Sequence, residues 1–521
     1  MDIPETVFWV ATGIVIILIL SIFLYRKAYK KTDGAKEEIK GSIRQVNVQG
    51  RPSVIDFIDV SPGLTDKKIN KTIELGMRLR DEARYDDAIE QFRAVWGLNP
   101  TDEQRSALLT MIGNCQYLKE DYSSAKASYG EALDIALNIR NSLAASVAYG
   151  NLGLLYYFTG EPDKAAEYNN KALEIDRRLG NKPGEAQALG SIGLIYDDIG
   201  EPEKALEYHN KALEIDRQLG NKLREARDLG NIGLIYTDIG EPEKALEYHN
   251  KALEIDRQLG NKLRESQDLG NIGLIYADTG EPDKAQEYHN KALEIHRLLG
   301  NKLRESRDLG NIGLIYADTG EPQKALEYHN KALEIDRQLG NKLREAQDLG
   351  NIGLIYADTG EPQKALEYHN KSLEIDRQIG NKLGEAQDLG NIGLIYADTG
   401  EPKKALVYHK KALKIDRQIG NKLGEAQDLG NIGVSYLLKG MPDKALEYHN
   451  KALEIDRQLG NKLGEAQDLG NFGIIYLLTG ETDKALEYLE KSKELFRTIK
   501  ADHKTRQIEK IIGLCKKSDR L

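Results

Sequence analysis

Apolar and polar positions recur along most of this chain with a period of 40 residues. One copy, residues 240–279, reads GEPEKALEYHNKALEIDRQLGNKLRESQDLGNIGLIYADT, and nearly the same letters return from Gly280, Gly320 and Gly360. Diverged copies extend the pattern toward both ends of the 521 residues. A chain of this length is typical of several globular domains, but a fixed period of this size indicates one array of stacked repeats instead.

Each copy is predicted to form two helices, one from Pro242 to Gly260 and one over residues 262–278. Gly240 suits the left-handed end of the preceding helix, and Pro242 suits a first helical turn. Asn261 is placed to cap the second of the two helices. The positions that follow helical spacing are Ala245, Tyr248, His249, Ala252, Leu253 and Ile255, then Leu269, Ile272, Gly273, Ile275 and Tyr276.

Short turns between such helices predict antiparallel hairpins, and one hairpin alone cannot bury its apolar face. Neighbouring hairpins must therefore stack. Gly273 and Ala245 have equivalents throughout the 40-residue copies. Because Gly inside a helix costs about 1 kcal/mol relative to Ala, its recurrence predicts that a neighbour approaches too closely there for a larger side chain.

The spacing of small and aromatic residues resembles the tetratricopeptide repeat over about residues 67–497. The 40-residue copies resemble the long form found in kinesin light chains and in Pins-type G-protein-signalling modulators, without the C-terminal motifs of the latter. Two diverged units precede them, with Leu75, Gly76, Ala88, Phe92 and Pro100 in the first and Gly113, Ala125, Tyr129 and Ala132 in the second. The matching positions of the long form run from Gly193, Tyr196, Gly200, Ala205 and Ala212 to Gly473, Tyr476, Gly480 and Ala485.

The resemblance implies an all-α fold, a right-handed α-solenoid of about eleven stacked hairpins. We expect two diverged units over residues 67–140 and nine 40-residue units over 141–497. Residues 501–521 are expected to form a capping helix and tail, with Ile508, Ile511, Ile512 and Leu514 available to cover the last hairpin.

The N-terminus predicts one transmembrane helix ahead of the solenoid. After a short tail of residues 1–6, residues 7–25 carry no charge and are almost wholly apolar. At about 1.5 Å per residue they can cross a hydrocarbon core of about 30 Å, and the lack of a preceding Lys or Arg disfavours a cleaved signal peptide. Residues 26–66 are predicted to be a juxtamembrane linker.

Basic residues lie only after this span, so the positive-inside rule predicts a membrane protein with its N-terminus outside and its repeats in the cytoplasm. The opposite topology, with extracytoplasmic repeats, is the alternative. The residues that set the prediction are Arg26, Lys27, Lys30 and Lys31.

No sequence motif predicts catalysis or a cofactor, because P-loop, HExxH, GxSxG and kinase signatures are absent. Cys115 and Cys515 form no CxxC and are predicted to be unpaired thiols. The net charge of −10 argues against a nucleic-acid partner. Paired carboxylates such as Glu254 and Asp256 are expected to be solvent contacts. We therefore expect no enzyme.

Histidine occupies the usual aromatic position of the repeat in seven copies. A metal array is disfavoured because stacked hairpins lie about 10 Å apart, whereas a zinc ligand lies about 2 Å from the metal. The prediction is a packed, hydrogen-bonded ring, while His296 and His503 are expected to be isolated and exposed. The seven are His209, His249, His289, His329, His369, His409 and His449.

One polar stripe on the helix over residues 262–278 contains Gln267, Asn271, Leu274 and Asp278, spaced by four, three and four residues. In the family that this chain resembles, the stripe lines a concave groove. An amide can pair with an extended peptide backbone, as the resemblance to kinesin light chains implies; alternatively, it bonds a neighbouring helix. The candidate binding residues are Asn231, Asn271, Asn311, Asn351, Asn391, Asn431 and Asn471, with Asp238, Asp278, Asp318, Asp358, Asp398, Gln267 and Gln347.

The aspartates of this stripe favour a basic partner segment, and Arg227 and Arg307 moderate the charge locally. Apolar side chains replace the polar stripe near both ends of the array. They are interpreted either as anchor pockets for a partner or as contacts with flanking repeats. They are Tyr157, Phe158, Leu437, Leu438, Leu477 and Leu478.

The sequence therefore predicts a membrane-anchored scaffold or adaptor that binds an extended, basic segment of a protein partner. A structural or assembly protein of a membrane or envelope complex, self-associating through its repeats, is the main alternative. A periplasmic or extracellular scaffold requires the opposite topology, and an enzyme is least favoured.

Overall fold

The computed structural model describes residues 67–518, with side chains over 69–516. These residues form twenty-three α-helices and one short 3-10 turn, Val95–Leu98, and contain no β-strand. The helices are α1 (Lys67–Asp81), α2 (Tyr85–Ala94), α3 (Asp102–Leu118), α4 (Tyr122–Asn138), α5 (Ser142–Phe158), α6 (Pro162–Leu179), α7 (Lys182–Asp198), α8 (Pro202–Gln218), α9 (Lys222–Asp238), α10 (Pro242–Leu259), α11 (Lys262–Asp278), α12 (Pro282–Leu298), α13 (Lys302–Asp318), α14 (Pro322–Leu339), α15 (Lys342–Asp358), α16 (Pro362–Ile379), α17 (Lys382–Asp398), α18 (Pro402–Ile419), α19 (Lys422–Leu438), α20 (Pro442–Leu459), α21 (Lys462–Leu478), α22 (Thr482–Thr498) and α23 (Asp502–Ser518).

The transmembrane span predicted over residues 7–25 and the linker predicted over 26–66 lie outside the described residues. Between residues 67 and 518, no helix combines the length and the apolar character needed to cross a membrane.

The described helices form an all-helical repeat solenoid. They fall into two compact units, residues 67–295 and residues 296–518, with the division inside α12. In each unit an odd-numbered helix packs against the even-numbered helix that follows it, as in α9 with α10 and α17 with α18. We call these the first and second helices of a hairpin. The second helix packs in turn on the first helix of the next hairpin, so that the apolar faces are covered by stacking.

The turns have the geometry that their sequence predicts. Gly240 and Gly260 have positive φ values of 79° and 67°, which an L side chain rarely adopts. Helix α10 begins at Pro242, whose missing N–H needs no partner in a first turn. Asn261 caps α11, because its Oδ1 accepts a hydrogen bond from the backbone N–H of Arg264 at 3.3 Å. These local predictions are confirmed.

The recurring helical glycine makes room for the histidine of the same hairpin. A Cβ added to Gly273 would lie 2.9 Å from Cδ2 of His289, closer than side chains normally pack. In the diverged units the same place holds Phe92 against Gly76 and Tyr129 against Gly113. The glycine is thus required by a large neighbour, as the sequence predicts, and the histidine fills the aromatic position of the hairpin.

Small apolar clusters are buried across three consecutive helices in much of the array, and two tyrosine rings pair at the margin of the long hairpins. In one repeat the buried cluster consists of Leu213, Leu229, Ile232 and Ala252. The rings of Tyr236 and Tyr248 stack with centroids 5.4 Å apart. The apolar positions predicted from the helical spacing therefore form the core.

Helix α23 covers the last hairpin with Ile508, Ile511 and Ile512, which are all buried. Leu514 was predicted to join them, and this is wrong, because its side chain is 49% exposed. Cys515 is buried instead, since it lies four and seven residues from Ile511 and Ile508 and so shares their face of the helix. Neither Cys115 nor Cys515 forms a disulfide, as predicted.

Candidate protein-binding surface

The polar stripe consists of the positions of Gln267, Asn271, Leu274 and Asp278 and their equivalents on the other first helices. Within each compact unit, first helices contact the first helices of adjacent hairpins, as α9 contacts α11 and as α13, α15, α17, α19 and α21 contact in sequence. Stripe positions from successive repeats therefore lie side by side on neighbouring helices.

The asparagines of the polar stripe are partly or fully buried. Asn271, Asn391, Asn431 and Asn471 are buried, and Asn231, Asn311 and Asn351 are half-buried. In the described part of the chain, none of these seven amides hydrogen-bonds a neighbouring helix; such a bond is formed only by Asn151, whose Nδ2 lies 3.5 Å from Oδ1 of Asn114. The buried Oδ1 of Asn391 and both amide atoms of Asn431 lack protein partners. These amides keep their hydrogen-bonding capacity for a ligand or for water.

The aspartates of the polar stripe are exposed and end their helices. Each is the last residue of a first helix, where the helix dipole adds negative potential to the carboxylate. Within each compact unit the stripe therefore carries negative charges at the C-terminal ends of successive first helices. The residues are Asp238, Asp278, Asp318, Asp358 and Asp398.

The glutamine position lies at the junction between successive repeats. Gln267 and Gln347 are half-buried. At the equivalent Gln187, the side-chain Oε1 accepts a hydrogen bond of 2.8 Å from Nη2 of Arg224 on the next first helix. The same guanidinium donates through Nη1 to the carbonyl oxygen of Pro183 at 2.7 Å. A position of the candidate stripe thus also ties two repeats together.

The apolar residues near the ends of the stripe contact the flanking repeats. The Phe158 ring packs edge-on against Tyr117 with centroids 5.7 Å apart. Leu437 belongs to the last large core cluster, and Leu477 and Leu478 pack against that cluster. Of the two interpretations of these residues, the structure favours contacts with neighbouring hairpins over anchor pockets.

A buried layer of His–Asp contacts lies beneath the surface, and sequence reasoning missed its acidic half. Nδ1 of His249 lies 3.1 Å from Oδ1 of Asp268 on the next hairpin's first helix. Equivalent contacts join His329 to Asp348, His369 to Asp388 and His449 to Asp468, at 3.3, 2.9 and 2.9 Å. The recurrence of an Asp 19 residues after each His was the available signal.

Not every histidine ring in this layer is hydrogen-bonded. Both ring nitrogens of His409 lack partners, and burial lowers the pKa of His409 to about 3. His209 lies 3.5 Å from Asp228 without forming a hydrogen bond. The prediction of packed rings is confirmed, whereas that of hydrogen-bonded rings holds for only some repeats. Among residues 67–518, no three His, Cys, Asp or Glu side chains come together as a metal site.

Asp256 was predicted to be a solvent contact, and this is wrong, because the structure buries it completely. Burial, followed by the charge of Asp268, raises the pKa of Asp256 to about 7. Burial and Asp228 likewise raise the pKa of Asp216 to about 6. The reason is stacking, since this face of the second helix is covered by the next hairpin.

The polar or charged neighbours of this buried aspartate differ between repeats. In one repeat Nε of Arg344 lies 3.5 Å from Oδ2 of Asp336. Where Gly384 replaces the arginine, Nδ2 of Asn381 donates to Oδ1 of Asp376 at 2.9 Å. A Cβ on Gly384 would clash with Asp376, so glycine permits the arrangement with Asn381.

His296 was predicted to be exposed, and this is also wrong, because only 3% of it is accessible. It stands 40 residues after Asp256, at the same buried position of the repeat. Its Nδ1 lies 2.6 Å from Oδ2 of Asp308. Its position in the repeat, equivalent to that of Asp256, was the sequence signal from which its burial could have been predicted. His503 is exposed, as predicted.

The stacked hairpins define the class of this protein as a helical repeat solenoid. A sequence profile described as tetratricopeptide repeat matches residues 143–218, 185–258, 265–338, 344–418 and 425–498, more than half of the chain. The chain belongs to the tetratricopeptide repeat family. A search of curated proteins found no match.

Three solved structures are similar to this chain at low identity. The apo form of the quorum sensor NprR from B. thuringiensis is 16% identical, covers 67% of this chain and 98% of its own, and has a TM-score of 0.51. The apo form of RapI is 20% identical over 53% of this chain and 99% of its own, with a TM-score of 0.44. A Rap protein complexed with competence and sporulation factor is 15% identical over 68% and 99%, with a TM-score of 0.46.

Proposed function

We propose that this protein is a non-enzymatic scaffold that binds an extended segment of a protein partner along the polar stripe. The observation that carries the proposal is the row of partly or fully buried asparagine amides that bond no neighbouring helix, as at Asn271 and Asn431. Burying an amide without a hydrogen-bond partner costs about 1–3 kcal/mol of folding free energy. A peptide backbone offers both the donor and the acceptor that such an amide requires.

The exposed aspartates of the stripe add a preference for partner chemistry. Within one compact unit they place like charges at the ends of successive first helices, as at Asp318 and Asp358. Lys or Arg side chains in the bound segment would neutralise these charges. Such complementarity raises the rate of association more than it raises the final affinity. The partner segment we propose is therefore extended and carries basic residues opposite this edge.

The test is capture of partners by crosslinking of the intact protein in its own cells, followed by identification of the captured chains. The variant combines Asn271→Ala, Asn311→Ala and Asn351→Ala. We expect it to lose most of the crosslinked partner while remaining folded, because only unbonded amides are removed.

The matched control combines Asn250→Ala, Asn330→Ala and Asn370→Ala on the second helices. There each amide Nδ2 already donates to a backbone carbonyl of its own helix, at 2.7, 2.7 and 2.6 Å. The same number of asparagines is removed from exposed positions. Capture that is equal in wild type and in the stripe variant would reject the proposal.

We further propose that residues 7–25 anchor the scaffold to a membrane, with the repeats on the cytoplasmic side. The support is the uncharged apolar stretch followed by Arg26, Lys27, Lys30 and Lys31. Alkaline extraction of cell membranes tests the anchor, and release of the protein would contradict it. A phosphatase reporter fused after Leu521 tests on which side of the membrane the repeats lie, since phosphatase activity would indicate that they are extracytoplasmic.

Self-association is a second candidate function, supported by a row of exposed apolar side chains. In eight of the long repeats one Leu or Ile precedes the Gly-Asn turn and is between 40% and 48% exposed. Light scattering of the full chain in detergent, with Leu259→Glu, Leu339→Glu and Ile419→Glu combined, tests it. A strictly monomeric wild type would exclude this role. The residues of the row are Leu179, Leu219, Leu259, Leu299, Leu339, Ile379, Ile419 and Leu459.

A further inference from the structure

The exposed face of α18 is basic, whereas the same face of the other long second helices is mixed in charge. Its positions are three, four or seven residues apart and so share one side of the helix. On α16 they include Glu367 and Glu374, and on α20 they include Glu447 and Glu454. On α18 these positions hold no acid, and all of them are exposed. The residues are Lys403, Val407, Lys410, Lys411 and Lys414.

One of these replacements removes the carboxylate with which a lysine pairs in other repeats. On α16, Lys371 is ion-paired with Glu367, four residues earlier, at 2.7 Å. Val407 stands at that place before Lys411. Nζ of Lys411 lies 5.0 Å from the centroid of the Tyr408 ring, but this lysine has no ion pair within residues 67–518.

Three ammonium groups converge on one ring beside this face. Nζ of Lys410, Lys439 and Lys444 lies 5.7, 5.6 and 5.4 Å from the centroid of the Tyr436 ring. Lys410 also donates a hydrogen bond to Oη of Tyr436 at 3.4 Å. The equivalent ring of the preceding repeat, Tyr396, has one such lysine. We call these three residues, together with Lys403, Lys411 and Lys414, the lysine cluster.

The lysine cluster is not neutralised by acids in the part of the chain that the structure describes. In the other long repeats a glutamate precedes the second helix and pairs with the lysine of its first turn. Met441 replaces this glutamate before Lys444. Lys444 also lies near Glu447, but Glu447 is already ion-paired with Lys451 at 2.6 Å. The cluster is therefore a concentrated positive surface on a chain whose net charge is −10.

The surroundings of the lysine cluster restrict the width of an occupant. The neighbouring second helices expose Glu367 and Glu374 on α16, and Glu447 and Glu454 on α20. Packed helices lie about 10 Å apart, and charges act over about 8 Å at physiological ionic strength. A broad anionic surface, such as a membrane or a nucleic-acid duplex, would meet these acids as well and be repelled. A narrow segment that lies along α18 avoids them.

The tyrosines beside the lysine cluster disfavour a single strand of nucleic acid. Such strands are bound largely by stacking of their bases on aromatic side chains. The rings of Tyr436 and Tyr448 already stack on each other with centroids 5.3 Å apart, and Tyr436 is buried. The rings therefore support the lysines by cation–π attraction and leave no free aromatic face of Tyr436 for a base.

We propose that the lysine cluster binds an extended acidic segment of a protein partner, with several Glu or Asp side chains. The lysines of α18 span about 16 Å along the helix, and six extended residues cover about 20 Å. Flexible lysine side chains carry compact charges that can each meet a carboxylate. The cluster lies on second helices and at the turn after α19, apart from the polar stripe, for which we propose a basic segment. The scaffold thus holds two segments of opposite charge on different surfaces.

The test is fluorescence anisotropy of a labelled, capped hexaglutamate peptide with the full-length chain in non-ionic detergent. We expect saturable binding to wild type that weakens as salt is raised, because exposed charges are screened. The cluster variant combines Lys410→Asn, Lys414→Gln and Lys439→Thr. Asparagine and threonine are the residues that the preceding repeat has at the first and third positions. Binding should become roughly tenfold weaker, since three exposed ion pairs with the peptide are lost.

The matched control combines Lys251→Gln, Lys291→Gln and Lys331→Gln. It removes the same charge from exposed lysines that are paired with glutamates at 2.5, 2.6 and 2.6 Å, and it should keep the wild-type affinity. A second variant, Lys414→Glu alone, introduces the residue of the other long repeats and should also weaken binding while leaving the thermal midpoint unchanged. Capped hexaglutamine should not bind.

Absence of saturable hexaglutamate binding to wild type would overturn the proposal, as would equal affinities for wild type and the two lysine variants. Hexathymidylate is the competing probe. If it binds more tightly than hexaglutamate and loses this binding in the cluster variant, the surface belongs to nucleic acid and the proposal is wrong. The cluster variant should keep the partner capture that depends on Asn271, so this site and the proposed function can fail separately.

Discussion

Gly273 on α11 lies directly beneath the imidazole of His289 on α12, so that an added Cβ would stand 2.9 Å from Cδ2. The same helix has a second glycine, Gly270, around whose Cβ position nothing lies within 4 Å. The two glycines share one helix but differ in their surroundings. This relationship separates the effect of packing from that of helix propensity.

Gly273→Ala is expected to destabilise the array. Overpacking of a filled core costs about 1–3 kcal/mol, which exceeds the gain in helix propensity of about 1 kcal/mol. Urea unfolding followed by circular dichroism should show a lower midpoint than in wild type. Gly270→Ala is the control and should raise the midpoint slightly. A higher midpoint in Gly273→Ala would show that the histidine ring can move aside.

His296→Ala is expected to be strongly destabilising, although the sequence suggests no role for this residue. The change leaves Asp308 buried without its partner at 2.6 Å, and removal of one member of a buried pair costs about 3–5 kcal/mol. His503→Ala is the matched control, because His503 is exposed and surface changes are usually within about 0.5 kcal/mol. Similar thermal midpoints for the two variants would contradict this prediction.

The stabilising contribution of two buried aspartates is expected to fall as pH rises from about 4 to 7. The pKa of Asp256 rises from 3.8 in the unfolded chain to about 7 in the fold, and that of Asp376 rises to about 6, chiefly through burial. Between these values the folded state holds more protons than the unfolded state, so stability decreases with pH. The contribution is present in full below 3.8 and is lost as pH passes through the folded pKa.

Asp256→Asn isolates this effect. The difference in unfolding midpoint between the variant and wild type should favour the variant more at pH 8 than at pH 5. The exposed neighbour Glu254, changed to Gln, serves as the control. His409 has the opposite effect, because burial lowers its pKa from 6.5 in the unfolded chain to about 3 in the fold. Its contribution to stability is therefore lost as pH falls below 6.5. A pH profile unchanged by Asp256→Asn would exclude this aspartate as a source.

Neutralising the exposed aspartates of the stripe is expected to weaken partner binding mainly at low salt. The variant combines Asp278→Asn, Asp318→Asn and Asp358→Asn, and binding to the crosslinked partner is measured between low and physiological ionic strength. Exposed charges are largely screened beyond about 8–10 Å at physiological salt. The wild type should therefore show the steeper salt dependence.

Glu254→Gln, Glu294→Gln and Glu334→Gln form the control for this variant, since they remove three exposed carboxylates from second helices. An equal loss of salt dependence in both triple variants would indicate only a general effect of net charge. In that case the stripe aspartates would have no specific role in attracting the partner.

Much of the fold follows from local patterns in the sequence. The period of 40 residues, the helical spacing, and turn residues such as Gly240, Pro242 and Asn261 predict the helices and their ends. These features depend on interactions within a few residues of the chain, which is why they can be predicted from one copy. The small residue at Gly273 predicts close packing without identifying its neighbour.

The sequence by itself determined the repeat, its helical hairpins and the stripe positions on one helix face, because each depends on local periodicity. Only the tertiary structure decided that Asp256 and His296 are buried, and that His249 meets Asp268 across a junction. The helix faces that carry these side chains contain many polar residues, so each face looks solvent-exposed when its helix is considered alone. Such a face is buried when the next hairpin stacks on it, so a charged side chain there must be neutralised, protonated or paired.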